Sequence, residues 1–189
     1  GAMLGLISMS RVALAASLAI LLVATPEQPA RAASASEIDT KVDLALDRLM
    51  RESETARAVA DRALAVLVFP DIVKGGFGIG GQFGEGALRK DGVTVGYYND
   101  AAASIGLQIG AQTYSQAMFF MTEEALAFLD KSAGFEIGAD ANVALANEGL
   151  GYDVTTSTIQ DPIIAFVFGQ KGLMAGLTLE GSKITKVTK

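Results

Sequence analysis

The chain has 189 residues, half of them hydrophobic, with 15 basic and 21 acidic residues and a net charge of −6. It contains no cysteine, histidine or tryptophan. This excludes most zinc, haem and iron–sulfur chemistry, which needs imidazole or thiolate ligands. It also removes His-based triads and cysteine nucleophiles, so no cofactor and no metal is expected. The length fits one domain with a sizeable core.

Residues 1–32 read as a tag remnant followed by a secretory signal peptide, and 33–189 as a single domain. Gly1-Ala2-Met3 has the look of a cloning remnant. Arg11 supplies a short positive segment, and Val12 to Ala24 is an apolar run broken only by Ser17. Ala30-Arg31-Ala32 then gives an A-x-A cleavage signal. Ala33-Ser34-Ala35 offers a second. The apolar run is short for a spanning helix, which needs about 20 residues. An uncleaved anchor is the alternative. Cleavage removes Arg11, Arg31 and Glu27, leaving 13 basic and 20 acidic residues, a net of −7. That balance argues against nucleic acid as a partner, which usually demands a basic face.

Ser36 is a helix N-cap by type, with Glu37 and Asp39 in the first turn. Ile38, Val42, Ala45, Leu46, Leu49 and Met50 follow at helical spacing. Ser53 opens a second helix through Ala56, Ala60, Ala63 and Leu64. Ala65 to Phe69 reads as a buried strand closed by Pro70-Asp71. Between Gly75 and Gly86, seven of twelve residues are glycine, and Phe77, Ile79 and Phe83 share one parity. Period-two alternation marks a strand. One face is apolar and the other nearly bare backbone, which suggests a bend, a bulge or close approach by a helix or a ligand. Gly76, Gly78 and Gly81 also satisfy G-x-G-x-x-G. No helix opens after them, so the dinucleotide fingerprint fails in context.

Lys90-Asp91-Gly92 reads as a hairpin turn, followed by a strand from Val93 to Tyr98 and a turn at Asn99-Asp100. Ser104 to Thr113 and Tyr114 to Met121 are strands. Thr122 caps a short helix, EEALAFLDKS. Phe135 to Leu145 alternates as a strand, 147–160 is polar and loop-like, and Ile163–Phe168, Leu173–Leu179 and Ile184–Val187 supply the last strands. The fold class is α+β: a strongly curved antiparallel sheet or partly closed β-barrel, with N-terminal helices and one short inserted helix.

Four ordered segments resemble the SYLF domain: VLVFPDIVKGGFGIGGQFGEGAL (66–88), SIGLQIGAQTYSQAMFFMTEEAL (104–126), GADANVALANEG (138–149) and KGLMAGLTLEGS (171–182). One departure is visible. SYLF sequences often carry Trp and Pro after the first hairpin, where this chain has Tyr97, Tyr98 and Asn99. The resemblance implies a non-enzymatic lipid-binding module. Eukaryotic relatives are associated with phosphoinositides, an amphipathic N-terminal helix at the membrane, and sometimes actin. Lipid binding carries over as a class, and those particular ligands do not fit a periplasmic protein.

The expected function is therefore phospholipid or membrane-surface binding in the bacterial cell envelope, with a periplasmic, membrane-associated location. The alternative is a structural or protein-interaction module with an envelope partner. Two lipid routes are open: the Ile38/Val42/Leu46/Leu49 helix face, or a groove beside the glycine strand with cations on phosphate. The candidate lipid-binding residues are Lys74, Arg89, Lys171, Lys183 and Lys186. The bare glycine face is expected to meet a packed helix. Glu85, Asp140, Asp153 and Asp161 are the carboxylates an enzyme would have to use, but such residues are more often turn formers or solvated charges, and Asp161-Pro162 in particular reads as turn chemistry. Asp140 with Asn142, or Asn147 with Glu148 and Asp153, could supply oxygens to calcium, but without EF-hand spacing.

Overall fold

The computed structural model describes residues 32–131, 133–147, 161–172, 179 and 181–189, without the side chains of 104–109, 147 and 172. The expected strand at 173–179 and the polar stretch to residue 160 lie largely outside these. The element order is α1 (Ala35–Glu52), α2 (Glu54–Ala60), β1 (Ala65–Lys90), β2 (Val93–Phe120), α3 (Glu123–Ala127), a 3-10 turn at Phe128–Asp130, β3 (Phe135–Glu136), β4 (Ala144–Asn147), β5 (Ile163–Gly172) and β6 (Lys183–Val187).

Helix α1 begins two residues earlier than Ser36 suggests. Ser34 is its N-cap, and its Oγ accepts the Glu37 N–H at 3.3 Å. Ser53 caps α2 as its side-chain type implies, accepting the Ala56 N–H at 3.0 Å. The α1 stripe Ile38, Val42, Ala45 and Leu49 is buried. It packs with Val68, Ala87, Ala117, Phe119, Ile164 and Phe166 on the outer face of the sheet. A second core fills the concave side, with Leu67, Phe69, Tyr98, Met118, Phe120 and Phe135 among its members.

Strands β1 and β2 form one antiparallel hairpin closed by Asp91-Gly92, both at positive φ. That two-residue turn matches the right-handed twist of its strands. Strand β2 lies at the centre. It pairs with β1 along one edge, and with β5 and β6 at different heights along the other. Two expected turns are absorbed into these strands. Pro70-Asp71 falls in a register shift between Phe69 and Ile72, where Pro cannot donate to the ladder and none is required. Asn99 and Asp100 pair with Glu85 and Gly84 in unbroken register. Phe135 to Leu145 is not one strand: Gly138 at positive φ breaks it after Glu136, and β4 resumes at Ala144. The sheet is also mixed, because β4 runs parallel to β5. The α+β class and strong curvature are as the sequence suggests.

The glycine run explains the curvature. A Cβ on Gly76 would lie 2.5 Å from the Gly80 Cα, so β1 turns sharply through Phe77-Gly78-Ile79. Gly78 sits there at φ +71. Beyond the corner the strand returns along itself. A Cβ on Gly84 would lie 2.7 Å from Ile72 Cγ1, and one on Gly86 would overlap the Val68 carbonyl oxygen. The bare face therefore meets the first arm of its own strand, and not a helix. Two hairpin arms stack with backbone where side chains would otherwise stand.

Substitution of the two kinds of glycine should differ in cost. Gly86→Ala drives a methyl into backbone and is expected to lose about 3 kcal/mol or more, the upper range for overpacking. Gly78→Ala has open space around it and should lose only about 1 kcal/mol, from its left-handed backbone. Urea unfolding midpoints of both variants check this. Equal losses would refute the stacked-arm reading.

Candidate functional site

Folding the hairpin over sorts its side chains in an unusual way. Facing inward, Lys74, Gln82, Asp100, Gln112 and Gln116 are all buried. Facing outward, Val73, Phe77, Ile79 and Phe83 are exposed, Phe77 at 81% and Ile79 at 73%. Polar residues are inside and apolar ones outside, which inverts the ordinary arrangement of a water-facing sheet. No charged residue occurs between Lys74 and Glu85 on β1, or between Asp100 and Glu123 across β2.

The interior is tied together by Gln82. Its Nε2 donates to Asp100 Oδ1 at 2.8 Å and to Ser182 Oγ at 2.7 Å. Tyr114 donates its hydroxyl to Gln82 Oε1 at 3.2 Å. Among the described residues Asp100 Oδ2, Gln112 Oε1 and both side-chain ends of Gln116 have no hydrogen-bond partner. Burial pushes the Asp100 carboxyl up to about 6, outweighing the hydrogen bonds from Gln82 and Ser182 and the charge of Lys74. Burial, then the Asp100 charge, raises Tyr114.

The five candidate cations separate into distinct places. Lys74 points inward and is 6% exposed. Arg89 holds α1 to the hairpin: its Nη2 donates to Asp43 Oδ1 at 2.6 Å and to the Asp39 carbonyl at 3.2 Å. Thr94 and Tyr97 donate to the Asp39 carboxylate beside it. Lys186 is exposed and lies 4.0 Å from Asp130. Lys171 and Lys183 are exposed and make no ion pair among the described residues.

Strand register relates these last two to the corner. Val73 pairs with Thr113, and Thr113 with Lys171. Phe83 pairs with Ala101, and Ala101 with Lys183. Residues paired across a ladder share a face. Each arm of the folded hairpin thus presents an apolar residue with a lysine two strands away. Val73 is four residues from Phe77, and Phe83 is four from Ile79, so both rows lie about 13 Å along the strand from the crest. Beside the first row, a cleft of about 250 Å³ between α1 and β5 is lined by Lys41, Leu44, Arg48, Thr113, Ser115 and Lys171. Gly169, at φ +65, makes room for Arg48 there: a Cβ would lie 2.9 Å from its Nη1.

The carboxylates do not converge on a cleft. Asp140 accepts the Glu136 N–H at 2.7 Å and pairs with Lys131 at 2.7 Å. Glu85 accepts from Ala33 and Lys189. Asp153 lies outside the described residues. The helix face Ile38, Val42 and Leu49, one of the two lipid routes, is packed against the sheet.

A family model, Ysc84, described as Las17-binding protein actin regulator, matches residues 101–189. Residues 101–189 belong to the SYLF family. The match spans most of β2 and all that follows, including Lys171, Lys183 and the β2 side of the corner, but none of β1. Among curated proteins no match was found. SYLF membership points to a module that binds lipid or actin-related proteins. Among the described residues no helix is long and apolar enough to cross a membrane. The hairpin corner was half legible in the sequence. Charge-free alternation marks its apolar face, but nothing local reveals that Lys171 and Lys183 share that face.

The interior carboxyl gives a pH signature. The folded-state value of Asp100 lies above its unfolded value of about 3.9. The fold therefore binds an extra proton between about pH 4 and pH 6, and stability falls as pH rises through that window. Asp100→Asn keeps an acceptor for Gln82 and removes the charge. It is expected to flatten this slope and to gain roughly 2 kcal/mol at pH 7. Urea unfolding from pH 4 to 7 measures both. An unchanged slope in the variant would assign the pH response to other groups.

Proposed function

We propose that this protein is a non-enzymatic phospholipid-binding module of the bacterial cell envelope. In this reading the corner of the folded β1–β2 hairpin enters the acyl region of a membrane. The observation that carries it is the exposed crest, Phe77 and Ile79, on a hairpin whose polar residues face inward. Polar-in and apolar-out is the arrangement of strands that face lipid. Moving one large apolar side chain from water to hydrocarbon is worth about 1.5–3 kcal/mol. The crest pair, with Val73 and Phe83 behind it, therefore supports stable attachment without a spanning segment.

The lysine rows fit the same orientation. A leaflet's hydrocarbon is about 15 Å deep, close to the strand distance from crest to either row. With the crest in the acyl region, Lys171 and Lys183 sit at phosphate level on opposite arms. Each cation near an anionic surface contributes about 1 kcal/mol. The net negative charge of the chain makes this local placement matter, because the rest of the surface repels anionic lipid. The leader-like N-terminal segment supports export to the envelope. SYLF membership supports lipid as the ligand class, and the crest supports lipid over an actin-related partner.

Vesicle co-sedimentation tests the reading. Wild-type protein should bind phosphatidylglycerol-containing vesicles more tightly than phosphatidylcholine vesicles, with the difference shrinking in high salt. Phe77→Asp with Ile79→Asp should lower binding to both by a hundredfold or more. Lys171→Gln with Lys183→Gln should lower only the anionic arm, by roughly 30-fold at low salt. Wild-type protein that binds neither vesicle would overturn the proposal. Capture of an envelope protein that depends on Phe77 and survives delipidation would favour an interaction module.

A further inference from the structure

We propose that the chain is cut between Ala32 and Ala33 and that the new amino terminus docks as an ammonium on Glu85. The inference is independent of the lipid reading. Two small-x-small signals stand in series here, Ala30-Arg31-Ala32 and Ala33-Ser34-Ala35, and the sequence reading takes the first while leaving the second open. The described residues supply a physical reason for the same choice.

Ala32 is exposed and in irregular backbone, as a peptidase substrate must be. The compact unit starts one residue later, at Ala33. From there every residue has a structural task. Ala33 packs against the core beneath α1, and its N–H donates to Glu85 Oε2 at 3.0 Å. Ser34 caps the helix through its Oγ, and its carbonyl accepts the Ile38 N–H at 3.0 Å. Ala35 begins α1. Cutting after Ala35 would discard the cap and the Glu85 contact together. Cutting after Ala32 discards neither.

Hydrolysis by a small-residue-specific endopeptidase adds one water across the Ala32–Ala33 amide. It leaves a carboxylate on Ala32 and, at neutral pH, an ammonium on Ala33. The single amide donor at Glu85 becomes a charged group with three. Glu85 is prepared for it. Its Oε1 already accepts from Lys189, and its side chain is 17% exposed. Burial raises its carboxyl, but the Lys189 hydrogen bond, the Ala33 N–H and the charges of Lys189 and Lys41 outweigh that and hold it below the usual range. The carboxylate therefore stays ionised and lifts the ammonium's pKa above the ordinary value of about 7.7–8.0. The stabilisation is full below that ordinary value and fades as pH rises through the lifted one.

The test expresses the full chain in a bacterial host with a general secretory pathway and recovers the exported protein. Intact mass and N-terminal sequencing should give a chain beginning at Ala33. A chain beginning at Ser36, or one retaining residues 1–32, would overturn the cut. On the recovered protein, NMR of the isotopically methylated α-amine should give a pKa above about 8, and Glu85→Gln should return it to the ordinary range. A wild-type value at or below that range overturns the docking without any variant.

Discussion

Everything in the described domain depends on two hairpin arms approaching each other closer than side chains allow. Gly84 and Gly86 lie on the backbone of Ile72 and Val68, and Gly76 lies against Gly80 across the corner. A methyl at any of these positions would meet neighbouring atoms inside normal contact distance. The seven glycines of the run weaken the strand in isolation. The stacking offsets that weakness by letting one 26-residue strand contribute to both sides of a curl. Strand β2 follows the same bend, which is why β5 and β6 meet it at different heights and on different arms.

That bend also decides where polar groups go. Near the base, helix α1 covers the outer face and apolar residues fill both sides. Near the corner no helix covers the outer face, and the bare glycine face leaves the interior to polar side chains. Gln82, Asp100, Ser182 and Tyr114 fill it with a hydrogen-bonded cluster. Burying the Asp100 charge costs stability at neutral pH, and exposing Phe77 and Ile79 forgoes about 3 kcal/mol or more of burial. A hairpin selected only for folding in water would reverse both choices. A hairpin that rests in lipid loses nothing by the second and uses the first to stay polar inside.

The sequence was informative where a physical rule acts locally. The Ser53 cap, the Asp91-Gly92 turn, the α1 stripe and the Phe77/Ile79/Phe83 alternation all follow from spacing or side-chain chemistry. It misled where tertiary pairing overrides a local signal. Pro70-Asp71 and Asn99-Asp100 have turn chemistry, yet both are carried through strands because β1 and β2 pair on either side of them. The bare glycine face was expected to meet a helix, since nothing in a one-dimensional pattern says that a strand will fold onto itself. The cations show the same limit. Lys74 and Arg89 flank the glycine run in sequence, but the fold turns Lys74 inward and commits Arg89 to Asp43.

Lys171 and Lys183 lie far from the run in sequence and close to it through register. Their relation to Val73 and Phe83 passes through Thr113 and Ala101, neither of which carries a chemical signal of its own. The two rows stand at equal strand distance from the corner on opposite arms. A single charged rim would tilt an inserted crest toward one side. In the proposed orientation two matched rims would hold it upright and fix its depth, because lowering either lysine below the phosphates would strand a charge in hydrocarbon. The α1–β5 cleft and its Arg48 break this symmetry, because they lie beside the Lys171 row only. In the proposed orientation that side offers an anionic headgroup several cations, while the other arm offers its lysine alone.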